Sequence, residues 1–229
     1  MGPARDEDVV IGASGTSVPG RLTVPDGADS VVVFAHGSGS GRHSPRNQFV
    51  ASVLNDAGLG TLLVDLLTPA EEADRANVFD IELLASRLLD VTRWLTEVVG
   101  IRPDRIGWFG ASTGAGAALW AAGEPGAPVA AIVSRGGRPD LAGLRLGSVR
   151  QPTLLIVGGL DTTVLEMNHA AQAILSGPSD LRVVSGATHL FEEPGTLASV
   201  ADLARDWFIQ HLHQLTPAAS RAADPAKGR

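Results

Sequence analysis

Short apolar runs separated by longer amphipathic stretches constrain this chain most. The runs fall at residues 31–35, 61–64, 106–109, 129–133, 153–157 and 181–184. They are nearly continuous in Val, Ile, Leu and Ala rather than alternating with polar residues. Strands of that kind are buried on both faces, as in a parallel sheet covered by its crossover helices. Residues 9–11 and 17–24 come first, with no helix between them, and read as an antiparallel opening pair. Strands alternating with helices predict an α/β chain with a doubly wound sheet.

The stretches between the runs carry helical signals. Ile81, Leu84, Leu88, Val91, Leu95 and Val98 step by three or four and mark one apolar stripe behind Asp80, a good N-cap. Ser44-Pro45 starts another helix, predicted to bury Phe49, Val50, Val53 and Leu54. Two more are expected over 164–175 and 196–213. Residues 1–215 read as a single domain. Residues 216–229, rich in Ala, Pro and charge without periodicity, are expected to be disordered.

Composition narrows the function classes. The 229 residues are 44 % hydrophobic, enough for one sizeable core. Net charge is −7 and no basic face stands out, so no nucleic-acid partner is expected. There is no cysteine, which excludes disulfides, thiolate metal sites and a cysteine nucleophile. The acidic start from Met1 to Asp8 reads as neither a signal peptide nor a myristoylation site. No apolar run approaches membrane-spanning length. A soluble cytoplasmic protein with no membrane partner is the expectation.

Chemistry enters at Gly110-Ala111-Ser112-Thr113-Gly114, which reads G-x-S-x-G between an apolar run and a helix-like stretch. A serine hydroxyl becomes a useful nucleophile when a sharp turn holds it clear of the backbone beside a base. Small residues two before and two after make that turn sterically possible. Glycine-rich turns with a serine are also common without catalysis, so the partners decide. Asp161 follows the 153–157 run, and His189 follows the 181–184 run. Both therefore lie past the carboxyl ends of predicted parallel strands, where open α/β sheets bind ligands. His189 is the candidate base for Ser112, and Asp161 the candidate orienting acid. Helix capping is the competing role for each. Asp65 is the rival acid, but it precedes the serine. His169, His211 and His213 lie on predicted helices without metal-ligand spacing.

An oxyanion needs two donors. The candidates are the main-chain N–H of Thr113 and that of Ser38, within the loop His36-Gly37-Ser38-Gly39-Ser40-Gly41. The phosphate-loop alternative fails, because no G-K-[ST] follows. Arg42, His43 and Arg46 come after this loop, and Arg135 and Arg138 after the 129–133 run. Surface solvation accounts for most such residues; recognition of an anionic substrate is the functional alternative. His36, Arg42 and Arg135 are the substrate-binding candidates.

Taken with residues 36–44, 110–115, 158–163 and 186–192, the chain from about Val9 to His213 resembles the α/β-hydrolase superfamily, in its dienelactone hydrolase-like branch. Ser134-Arg135-Gly136-Gly137-Arg138-Pro139-Asp140 resembles a subgroup sometimes joined to a phosphoribosyltransferase domain. The resemblance implies a mostly parallel central sheet of about eight strands flanked by helices. It implies Ser112, Asp161 and His189 as a triad, and no cofactor or metal. Dienelactone hydrolases proper use a cysteine nucleophile, so the serine here favours general carboxylesters. Only about 20 residues separate Val133 from Thr153, too few for a large cap domain. The resulting expectation is a serine hydrolase acting on small carboxylic esters or lactones. An amidase or peptidase with the same triad, and a non-catalytic binding or regulatory module, are its rivals.

Overall fold

The computed structural model describes residues 4–212. The tail expectation for residues 216–229, and His213, lie outside the described residues. One eight-stranded sheet organises the rest: β1 (Arg5–Ala13), β2 (Thr16–Val24), β3 (Val31–Ala35), β4 (Gly60–Val64), β5 (Ile106–Ala111), β6 (Ala131–Arg135), β7 (Thr153–Gly158) and β8 (Ser179–Val184). Their spatial order is β1-β2-β4-β3-β5-β6-β7-β8. β1 pairs antiparallel with β2, and β2 with β4, while every later pair is parallel.

The helices are α1 (Pro45–Asp56), α2 (Pro69–Glu72), α3 (Arg75–Val78), α4 (Ile81–Trp94), α5 (Thr113–Ala122), α6 (Thr162–Ile174) and α7 (Thr196–Leu212). Their starts follow from local chemistry. The Asp80 carboxylate accepts the Leu83 N–H at 3.0 Å, and the Ser44 hydroxyl accepts that of Asn47 at 3.5 Å. Two apolar layers sandwich the sheet. On one side Val33, Trp108 and Ile132 pack with Leu84, Leu88 and Val91 of α4 and Ala117 and Ala118 of α5. On the other, Val32, Phe34, Phe109 and Val133 pack with Val50 and Leu54 of α1 and Val200, Ala204 and Phe208 of α7. Buried Trp108 donates its indole N–H to Thr92 Oγ1 at 3.0 Å, which satisfies its one polar atom. No large cap interrupts the chain; β6 and β7 are joined through a short 3-10 stretch, Pro139–Ser148.

Several local expectations are corrected. Phe49 is exposed, because α1 buries Val50, Ala51 and Leu54, one step around the helix. Val98 is exposed because the chain widens after α4 into a π-turn, Leu95–Val99, which rotates the stripe away from the core. The strand at 181–184 is not buried on both faces: β8 closes the sheet edge, and Val183 faces outward. The run at 129–133 is shifted toward its polar end. β6 reaches Arg135, because Ser134 and Arg135 pair with Gly110 and Ala111 of β5. Among the described residues, no helix is long and apolar enough to cross a membrane.

Candidate active site

Ser112 joins β5 to α5 with φ 49° and ψ −116°, a backbone conformation that L-residues rarely adopt. Four hydrogen bonds hold it there. Its N–H donates to Arg135 O at 3.2 Å, and its carbonyl accepts the N–H groups of Ala115, Gly116 and Arg138. The flanking glycines make the turn possible. A β-carbon on Gly110 would lie 2.4 Å from Ala115 Cα, and one on Gly114 would lie 2.2 Å from Ala35 O. Although Ser112 occupies the N-cap position of α5, its hydroxyl makes no cap hydrogen bond. The strained turn thus leaves Oγ unspent, unlike the hydroxyl of Ser44.

Asp161 is the N-cap residue of α6, and its side chain makes no cap hydrogen bond either. Its carboxylate turns instead to His189, with Oδ2 2.6 Å from Nδ1. The capping alternative is therefore not the job its oxygens do. A carboxylate at Nδ1 selects the tautomer protonated there and leaves the Nε2 lone pair available as a base. The loops after β7 and β8 that carry these residues are pressed together. Leu160 N–H donates to Ala187 O at 2.9 Å, and a β-carbon on Gly158 would lie 2.4 Å from that same oxygen. Glu193 braces the histidine loop by accepting Thr188 N–H at 3.1 Å and the Thr188 hydroxyl at 2.6 Å. The Thr188 hydroxyl, foremost, holds the Glu193 carboxyl below its usual range.

His189 packs beside Gly136, where an added β-carbon would lie 3.4 Å from its Cε1. Gly136 follows Arg135, whose carbonyl anchors Ser112. The ring is thus one residue away from the serine's own anchor. Among the described residues, no hydrogen bond joins Ser112 Oγ to His189. Such contacts commonly tighten only when substrate arrives.

The glycine-rich loop after β3 lies against the serine, and a β-carbon on Gly37 would be 3.1 Å from Ser112 Cβ. The two expected oxyanion donors meet in an unexpected way: Ser38 N–H donates to Thr113 Oγ1 at 3.0 Å. Sequence reasoning considered only the Thr113 amide and missed its hydroxyl. His36 uses both ring nitrogens on main chain. Nε2 accepts Leu66 N–H at 3.2 Å, so Nδ1 carries the proton and donates to Gly37 O at 3.0 Å. Asp65, the rival acid, spends its oxygens on Arg42, through the main-chain N–H at 2.6 Å and through the guanidinium. Arg138 pairs with Asp140, and Arg46 pairs with Glu192 at 3.0 Å. A groove of about 500 Å³, lined in part by His36, Gly39, Arg42 and Arg46, runs along the outer side of this loop. Ser112 and His189 do not line it, so it does not contain the two candidate residues.

No protein-family model matches the chain. It is 50 % identical to a solved dienelactone hydrolase from Anabaena variabilis, covering 93 % of this chain and 100 % of that one, with a TM-score of 0.86. Est1E from Butyrivibrio proteoclasticus shares the fold at 14 % identity, covering 90 % and 98 % of the two chains, with a TM-score of 0.74. Two strains of Mycobacterium tuberculosis carry relatives named "Putative phosphoribosyl transferase", each 64 % identical over 210 residues and 92 % of this chain. The chain spans about half the length of these curated relatives, 47 %.

Proposed function

Because the chain belongs to the α/β-hydrolase superfamily, in its dienelactone hydrolase-like branch, we propose that it is a serine hydrolase of small carboxylic esters or lactones. One observation carries the reading. The Asp161 carboxylate, 2.6 Å from His189 Nδ1, leaves the Nε2 edge free. The hydroxyl of Ser112, not used by its own helix, supports the reading too.

In the proposed reaction Ser112 Oγ attacks the ester carbonyl carbon while His189 Nε2 takes the hydroxyl proton. Asp161 stabilises the imidazolium that forms. The carbonyl oxygen becomes an oxyanion, held by the Thr113 and Ser38 amides once substrate displaces the Thr113 hydroxyl from the latter. Collapse expels the alcohol, which receives the proton from His189. Water then loses a proton to His189 and attacks the acyl carbon, and as the bond to Ser112 Oγ breaks His189 returns that proton to it, releasing the acid. A lactone follows the same steps, with its alcohol still tethered to the acyl group.

Turnover of p-nitrophenyl acetate against the matching p-nitroanilide tests the reading. Ester cleavage that disappears in Ser112→Ala supports it. Preference for the anilide moves the assignment to an amidase, and persistent ester cleavage in the alanine variant removes Ser112 as nucleophile. A second reading rests on the length comparison: this fold could accompany another activity in a longer protein. A folded protein inert toward both substrates favours that reading.

A further inference from the structure

Asn168 lies two turns along α6 from Asp161, the N-cap residue, on the face that also buries Val164 and Ala171. It is fully buried, yet polar. Its Nδ2 uses both hydrogens on main chain, donating to Gly137 O at 3.0 Å and to Val164 O at 2.8 Å. Its Oδ1 is buried without a hydrogen-bond partner. An amide held in that way is unfavourable, and a leucine would fill nearly the same volume without stranding an oxygen. Packing alone therefore does not account for asparagine; the donor end does, through what it grips.

It grips the segment 135–138, which touches the candidate site at each step. Arg135 O accepts the Ser112 N–H at 3.2 Å, and Arg138 N–H donates to Ser112 O at 3.2 Å. Between them, Gly136 donates its N–H to Ile156 O of β7 at 2.7 Å and packs beside His189. Gly137 leaves the segment no slack. A β-carbon there would overlap Ser134 Oγ and lie 2.8 Å from Ala115 Cβ in the first turn of α5. Among the described residues, no other side chain hydrogen-bonds the main chain of 135–138. One helix thus carries Asp161 at its start and, two turns on, the amide that fixes both anchors of the strained Ser112 turn.

We propose that Asn168 is a positioning residue of the reaction: its bond to Gly137 O holds the Ser112 turn in register with the Asp161–His189 pair. The effect on turnover rests on the serine-hydrolase reading; the tie between α6 and the 135–138 segment does not. Displacing a reacting group by about 1 Å costs on the order of a hundredfold in rate, so a remote amide can govern turnover without touching substrate.

The test compares wild type, Asn168→Leu, Asn168→Ala and Thr61→Val. Asn168→Ala leaves room for water and serves where the leucine variant does not fold. Thr61→Val removes a different buried hydrogen bond, from Thr61 Oγ1 to Asn55 Oδ1 at 3.1 Å, and controls for lost stability. The first arm follows p-nitrophenyl acetate hydrolysis per folded molecule. In the Asn168 variants kcat and kcat/KM should fall together by about ten- to hundredfold, with KM held near the wild-type value. Thr61→Val should keep the wild-type kcat, and an equal kcat in the Asn168 variants overturns the positioning role. The second arm measures amide hydrogen exchange by NMR and needs no catalysis. In wild type the Asn168 Nδ2 protons should be protected, and exchange at the rate of an exposed amide overturns the tie. In the Asn168 variants the Ser112 and Arg138 N–H groups should exchange at least about tenfold faster than in Thr61→Val. Equal rates overturn the proposal whatever the esterase result. Faster exchange in the variants of a protein whose wild type cleaves no ester upholds the tie and rejects the hydrolase reading.

Discussion

The main-chain N–H of Ser38 donates to the Thr113 hydroxyl at 3.0 Å, tying the glycine-rich loop after β3 to the residue that follows Ser112. One end is a donor of the proposed oxyanion hole, and the other is the side chain of the residue whose amide is the second donor, so the bond ties the two donor-bearing residues together. The donor left behind on losing the Thr113 hydroxyl is the N–H of Ser38, an exposed residue that water can reach. Thr113→Val keeps the shape and removes the acceptor. It should destabilise the protein by about 0.5–1.5 kcal/mol. Urea denaturation measures this, and an unchanged midpoint would show that the loop is held by other contacts.

Asp161→Asn is predicted to preserve the fold and cripple turnover. Asparagine can present its N–H₂ to His189 Nδ1, which favours the wrong tautomer and leaves Nε2 without its lone pair. In a serine triad that loss lowers kcat on the order of ten-thousand-fold. Ester hydrolysis by a variant with an unaltered circular dichroism spectrum measures it. A loss of less than about tenfold would mean that another group orients His189.

Glu71 links stability to pH. It forms a capping box with Thr68 and neutralises Arg87, whose side chain is 3 % exposed. The Thr68 main-chain N–H, foremost, and the hydrogen bond from Arg87 hold the Glu71 carboxyl below its ordinary value of 4.5. A folded-state pKa below the unfolded one contributes stability above the unfolded pKa, and that stability is lost as pH falls through the folded pKa. Stability should therefore fall below about pH 4.5, and the Glu71→Gln variant should show a shallower decline there. At neutral pH, Glu71→Ala strands Arg87 and should cost about 3 kcal/mol, toward the low end because Glu71 is partly exposed. Denaturant midpoints across the pH series check both statements; parallel curves for wild type and Glu71→Gln would refute the linkage.

Gly114→Ala probes the turn itself. The added methyl would lie 2.2 Å from Ala35 O and 2.4 Å from His36 O, both main-chain atoms that cannot swing aside. The expected cost is about 3 kcal/mol or more, with ester hydrolysis falling alongside it. Normal thermal stability in this variant would contradict the packing described for the turn.

The central strands were legible because β3 to β7 are buried on both faces, and a doubly buried strand must be apolar throughout. β8 was found but misjudged, since an edge strand leaves Val183 facing outward while keeping the same residue types. α2 and α3 were missed because four residues carry no periodicity. Ser112, Asp161 and His189 could be proposed because each follows an apolar run, which fixes its height in the sheet. That Asp161 bonds His189 rather than capping α6 was not legible, because an N-cap aspartate reads identically in either role. Arg135 was named as a substrate-binding candidate, but its burial was not legible. An arginine ending a strand reads as surface, and only the folded chain, with the Phe191 ring beside it, shows it buried.

The most direct measurement is labelling of the intact protein by a fluorophosphonate, read by mass spectrometry on wild type and Ser112→Ala. The account predicts one adduct on wild type and none on the variant, because only a serine activated by His189 attacks phosphorus at a useful rate. No adduct on folded wild-type protein, or an equal adduct on Ser112→Ala, would contradict it.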